Sequence, residues 1–213
     1  MRFFSYESRF SQLVLKFCYC CFLNLLWVIC SLPVVTIGAS TTALYYCCFR
    51  IIRGEEDYII PMFFRSFREN LKQAAVIWLI LLGVGAFLAA DAYILIHLRS
   101  SSAGTAAVFW TILLAVIFAA AVFYTIILLI VFPLLASVEN TVPAMLKNAF
   151  LIGTHYLFAT LSVLGVHFFI FFAIVRLFTP LIIPGEGLCA MLTAWLLNNI
   201  MLASSSDEET KPN

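Results

Sequence analysis

Runs of apolar residues divide this chain more sharply than any motif does. Four stretches contain no Asp, Glu, Lys or Arg: Phe17–Phe49, Ser100–Val138, Asn148–Val175 and Gly187–Ser206. A fifth, Gln73–Leu98, holds only Asp91. One charge near the centre of a bilayer costs at least about 2.5–3.5 kcal/mol, and roughly 20 residues rising 1.5 Å each cross the hydrocarbon. Every one of the five is long enough to do so. The first exceeds what one span needs, and Pro33 sits in its middle. Proline removes a backbone donor and disfavours helix in the residue before it, so the helix should break at Leu32–Pro33. Thr36 and Gly38, followed by Ser40, Thr41 and Thr42, suit a turn or an unwound entry. The pattern predicts a hairpin of spans over Leu13–Leu32 and Val34–Ile52. The alternative is one span followed by a segment over 34–52 that re-enters or lies in the interface. Further spans are predicted at Ala74–Leu98, Gly104–Phe132, Tyr156–Leu177 and Leu188–Leu202.

Lys and Arg arbitrate, because they collect on the cytoplasmic side. With six spans, ten of the twelve cations lie on the side of both termini, and only Arg99 and Arg176 lie outside. With five, the split is seven to five, which barely orients the chain. The expected fold is therefore all-α: a polytopic transmembrane helix bundle of six spans, or five plus a re-entrant segment, with both termini cytoplasmic. Arg2, Arg9 and Lys16 resemble the start of a signal peptide, but no A-x-A-like site follows the apolar run, so the first span should be retained. The expected organisation is one membrane domain over 1–203 and a polar, disordered tail over 204–213.

Composition strengthens this reading. Hydrophobic residues make up 64% and charged residues 11%, against about 45–50% and 25% in soluble domains. A mean hydropathy of +1.06 leaves too much apolar surface for a water-soluble core of this length. A secreted enzyme, a cytosolic enzyme and a disordered regulator are excluded. The net charge of +1 provides no footprint for nucleic acid. The lipid bilayer is the partner the composition demands.

The longest polar loop, Arg50–Lys72, carries the clearest local signal. Arg53, Gly54, Glu55, Glu56 and Asp57 form a charged turn, and Pro61 then opens an amphipathic segment. Phe63, Phe64, Phe67, Leu71 and Ala74 share one helical face, and Arg65, Arg68, Glu69 and Lys72 share the other. Such a helix suits the headgroup layer ahead of the third span. It is either an anchor for the bundle or a docking surface, with Arg53, Glu55, Glu56, Arg65, Phe67, Arg68, Asn70 and Gln73 as the candidate contacts. Pro143 precedes a second short helical stretch, Ala144–Phe150, a weak hint of an internal repeat.

The motifs Asn24-Leu25-Leu26-Trp27, Leu32-Pro33-Val34-Val35-Thr36-Ile37-Gly38, Thr42-Ala43-Leu44-Tyr45-Tyr46, Arg53-Gly54-Glu55-Glu56 and Phe63-Phe64-Arg65-Ser66-Phe67-Arg68-Glu69-Asn70 resemble the YesL-like family of bacterial integral membrane proteins, a family of unknown function. Ala39 departs from it, where many members carry proline after the glycine. The resemblance implies a bacterial cell-membrane protein. Through the genes that often neighbour family members, it also implies an accessory role beside a carbohydrate ABC-transport permease. The chain itself has no Walker A loop.

Few polar residues remain as candidates for chemistry. Asp91 is the only acid inside a predicted span, expected to pair with Arg176 or Arg99 near the outer face or to meet water there. Asn24 and Asn198-Asn199 can hydrogen-bond across helices. His167 lies mid-span, where a structural histidine is the ordinary case, and it is too far along its helix from His155 for that pair alone to hold a metal. The seven cysteines read as small apolar residues, including the Cys18/Cys21 C-x-x-C. No nucleophile–base set stands out, so the expectation is a non-enzymatic protein without cofactor, an accessory or regulatory membrane subunit. An independent small-solute secondary transporter or channel is the alternative.

Overall fold

The computed structural model describes residues 9–55, 58–176 and 183–209. The protein is an all-α membrane helix bundle, with no strand among the described residues. Its helices are α1 (Arg9–Cys30), α2 (Ile37–Arg53), α3 (Ile59–Ser100), α4 (Thr105–Leu135), α5 (Val142–His155), α6 (Leu157–Arg176) and α7 (Gly185–Glu209). The segment Val34–Arg53 and helices α3, α4 and α6 are long and apolar enough to cross a membrane, and α1 has a shorter apolar portion, Val14–Cys30.

Pro33 breaks the first apolar run as its chemistry requires. α1 stops at Cys30, Pro33 is extended (φ −75°, ψ 119°), and one 3₁₀ turn, Val34–Thr36, leads into α2. The Thr36 hydroxyl lies 2.6 Å from the Cys30 carbonyl and 2.7 Å from the Pro33 carbonyl and shares its one proton between them, so the last carbonyl of the broken helix has a donor. Across the hairpin, Trp27 Nε1 donates to Thr41 Oγ1 (3.0 Å), and the Ser31 and Ser40 hydroxyls share a 2.6 Å hydrogen bond.

α2 is the axis of the bundle. It packs against α1, α3, α4 and α7. Of its apolar window, 61% is buried in protein, against 6% for α3 and 17% for α4. Gly38 makes the close approach possible: a Cβ there would lie 2.5 Å from the Ala74 carbonyl oxygen and 2.9 Å from Trp78 Cβ. At the other end of the contact, only five residues separate the end of α2 at Arg53 from the start of α3 at Ile59. α2 therefore runs antiparallel to the charge-bearing half of α3. From Leu79 onward α3 has α4 as its main neighbour and exposes Leu79, Ile80, Leu82, Val84, Phe87, Tyr93, Ile94 and Ile96.

Two expectations change. The amphipathic segment after Pro61 is not a separate surface helix: it and the third span form one unbroken helix of 42 residues, α3. Pro61 falls in its first turn, where a missing N–H costs nothing. The buried stripe Met62, Phe63, Ser66, Ala74, Ile77 and Leu81 continues from the charged half into the apolar half without a phase break. Continuous periodicity gives the chain no reason to turn. The tail also differs: α7 runs through 204–209 as helix, and residues 210–213 lie outside the described residues. Pro143 does open a helix, α5, which meets α6 at Tyr156. There the Thr160 hydroxyl takes the Gly153 carbonyl at 2.9 Å.

Candidate functional site

The described residues of the docking loop separate into two roles. Arg53 ends α2 and donates from Nε to Asn198 Oδ1 of α7 at 3.0 Å, with its guanidinium 6.0 Å from the Phe49 ring centre. Glu55 pairs with Arg50 (3.4 Å), and Glu56 lies outside the described residues. Phe67 stacks on Phe63 (centroids 6.4 Å apart), Asn70 Nδ2 donates to the Ser66 carbonyl (3.0 Å), and Gln73 Nε2 to the Asn140 carbonyl (2.5 Å). Of these, the Arg53 bond ties α2 to α7 and the Gln73 bond ties α3 to the α4–α5 connection, whereas the Phe67 and Asn70 contacts stay within α3. Arg65, Arg68, Glu69 and Lys72 face outward, with Arg65 and Glu69 joined at 3.0 Å across one turn. The exposed charges thus ride on a rigid helix whose other face is clamped to α2.

The intramembrane candidates also resolve. Asn24 Nδ2 donates to the Ile183 carbonyl (2.5 Å), fastening α1 to the start of α7. Asp91 is half-buried on the α4-facing half of α3. It does not pair with Arg99 or Arg176: the ion pairs among the described residues are Arg50–Glu55 and Arg65–Glu69. The expected partners lie on other parts of the fold, Arg99 eight residues on along the same helix and Arg176 at the end of α6. Pro33, Thr36 and Gly38 build the α1–α2 turn and its contact with α3.

His167 is the residue whose surroundings could not be foreseen. Its ligand nitrogen, a Glu186 carboxylate oxygen and Cys189 Sγ lie within 4.8 Å of one another. Glu186 and Cys189 are one helical turn apart at the start of α7, and His167 comes from the middle of α6. Gly187 lets this end of α7 press on α1: any side chain there would collide with the Cys20 carbonyl. α2, with Tyr45 and Cys48 buried, packs against α7 as well. Sequence reading passed over Glu186 because it lies just ahead of an apolar run. The i, i+3 spacing of Glu186 and Cys189, which places both on one helix face, was the available signal.

Residues 20–92 match the family model described as Protein of unknown function, DUF624. The DUF624 segment covers the second half of α1, α2 and α3 as far as Ala92, the region that carries the YesL-like motifs, and the two observations agree. It includes the Gly38 contact and the charged face of α3. His167, Glu186 and Cys189 fall beyond it. No curated protein and no solved structure matches the chain.

Proposed function

We propose that this protein is a non-enzymatic accessory or regulatory subunit of the bacterial cell membrane, with both termini cytoplasmic, that binds a carbohydrate ABC-transport permease through the outward face of α3. One observation carries the proposal. Arg65, Arg68, Glu69 and Lys72 stand on the exposed side of a helix that continues without interruption into an apolar span. A partner gripping that face would be coupled mechanically to the membrane helix. The orientation follows from the cation count. With the α1–α2 hairpin read as two crossings, ten of the twelve cations share the side of both termini. The permease is the partner that the family resemblance implies.

The test is affinity purification from the native host in mild detergent, with mass spectrometry of the associated proteins. A sugar-importer permease should accompany the wild type. The double variant Arg65→Glu/Arg68→Glu should recover at least about tenfold less of it, which corresponds to about 1.4 kcal/mol. Both substitutions are exposed, so folding should change by no more than about 0.5 kcal/mol. Equal recovery, or no permease with the wild type, refutes the proposal.

The alternative, a small-solute secondary transporter, draws on one feature, the ionisable residues His167 and Glu186 gathered between α6 and α7. Solute flux in proteoliposomes holding this chain alone would favour it.

A further inference from the structure

We infer that His167, Glu186 and Cys189 form a binding site for a divalent transition-metal ion of the zinc type. The reasoning is independent of the docking proposal. The three donors are an imidazole nitrogen, a carboxylate oxygen and a thiol sulfur, all within 4.8 Å of one another. In a tetrahedral zinc site with bonds of about 2.0–2.3 Å, donors stand roughly 3.3–3.8 Å apart. Side-chain rotations of about an ångström close the difference. Soft and borderline donors of this kind select zinc and its neighbours over magnesium or calcium, which take oxygen.

Two further observations point the same way. His167 Nδ1 lies 2.9 Å from the Val163 carbonyl. A carbonyl can only accept, so Nδ1 carries the proton and Nε2 keeps its lone pair for a ligand. Metal-binding histidines are oriented by this kind of second hydrogen bond. The charges also balance. Glu186 is a half-buried acid, and the Cys189 thiol beside it is buried. A divalent ion bound by one carboxylate, one thiolate and a neutral imidazole gives a site of zero net charge, the arrangement that low-dielectric surroundings tolerate best. On binding, the Cys189 thiol proton leaves to solvent and a sulfur–metal bond takes its place. Three protein ligands leave a fourth position for water or another small donor.

The experiment uses the full chain in detergent, stripped of metal and titrated with Co2+ as a spectroscopic stand-in for zinc. The expected result is one Co2+ per chain with a thiolate-to-cobalt charge-transfer band, displaced by Zn2+. Cys189→Ser should abolish the band. His167→Gln and Glu186→Gln should each weaken binding by more than the roughly 10- to 100-fold that loss of an outer partner costs. Cys18→Ser, whose thiol is exposed elsewhere on α1, should bind as the wild type does. Failure of Co2+ to saturate, or a band that survives Cys189→Ser, overturns the inference. Should the variants not fold, zinc-edge X-ray absorption of the wild type decides. One sulfur near about 2.3 Å with lighter donors near about 2.0–2.1 Å supports the site, and a shell without sulfur refutes it.

Discussion

Gly38→Ala adds one methyl group at the point where α2 meets α3, and its consequence can be worked from the geometry. The new Cβ would stand 2.5 Å from the Ala74 carbonyl oxygen, 2.9 Å from Trp78 Cβ and 3.0 Å from Phe132 Cε1. Carbon–oxygen contacts between packed helices relax to about 3.3–3.6 Å, so α2 and α3 must separate by about 0.8 Å. A gap of that size forfeits a quarter to a half of each dispersion contact across the seam. The residues behind the seam, Ala39, Ala43, Ala74 and Ile77, are fully buried and cannot escape the shift. Overpacking of this kind costs about 1–3 kcal/mol. Alanine returns part of it, up to about 0.8–1.0 kcal/mol of helix propensity, and less in a first turn. The net expectation is a loss of about 1–2 kcal/mol, read as a fall of roughly 2–8 °C in melting temperature in detergent. Gly83→Ala is the internal control. It lies on α3, with nothing within 4 Å of the added Cβ. Only the propensity gain applies there, so its melting temperature should hold or rise. If Gly38→Ala melts with the wild type, or the two variants fall together, the packing argument is wrong.

Two further outcomes are expected. Arg53→Ala and Asn198→Ala each remove the 3.0 Å hydrogen bond that ties α2 to α7. A double-mutant cycle should return a coupling of about 0.5–1.5 kcal/mol, and strict additivity would show that the bond contributes nothing. Tyr124→Phe deletes the hydroxyl that donates to the Leu81 carbonyl at 3.1 Å, beside Gly85. It should cost about 0.5–1.5 kcal/mol in denaturant unfolding, and no measurable loss would mean that water or lipid already competes for that group.

Local chemistry decided much of this protein before any contact formed. Pro33 breaks the first apolar run wherever the rest of the chain goes, because a missing N–H and a restricted preceding residue act within one turn. Long charge-free stretches become helices in lipid because no other spanning segment satisfies its own backbone. The face containing Phe63, Phe67 and Ala74 was legible as the buried side for the same local reason, its 3.6-residue period. That period also says that Pro61–Ser100 is one helix, an inference obscured by treating charge as a boundary. Arg65, Arg68 and Lys72 change the solvent that surrounds α3, not its backbone.

Tertiary structure decided the rest. No periodicity says that α2 pairs with the charged half of α3, because register between helices depends on where a glycine meets a backbone carbonyl. Likewise nothing local links Asn24 to residue 183, or Arg53 to Asn198. His167, Glu186 and Cys189 belong to two helices joined through the 177–182 segment, and their meeting requires the α6–α7 packing together with the close seat of Gly187 on α1. Helix formation is a short-range event, whereas a site of converging side chains depends on the angles and offsets at which finished helices lock together. Those are set by side-chain volumes summed over the whole bundle.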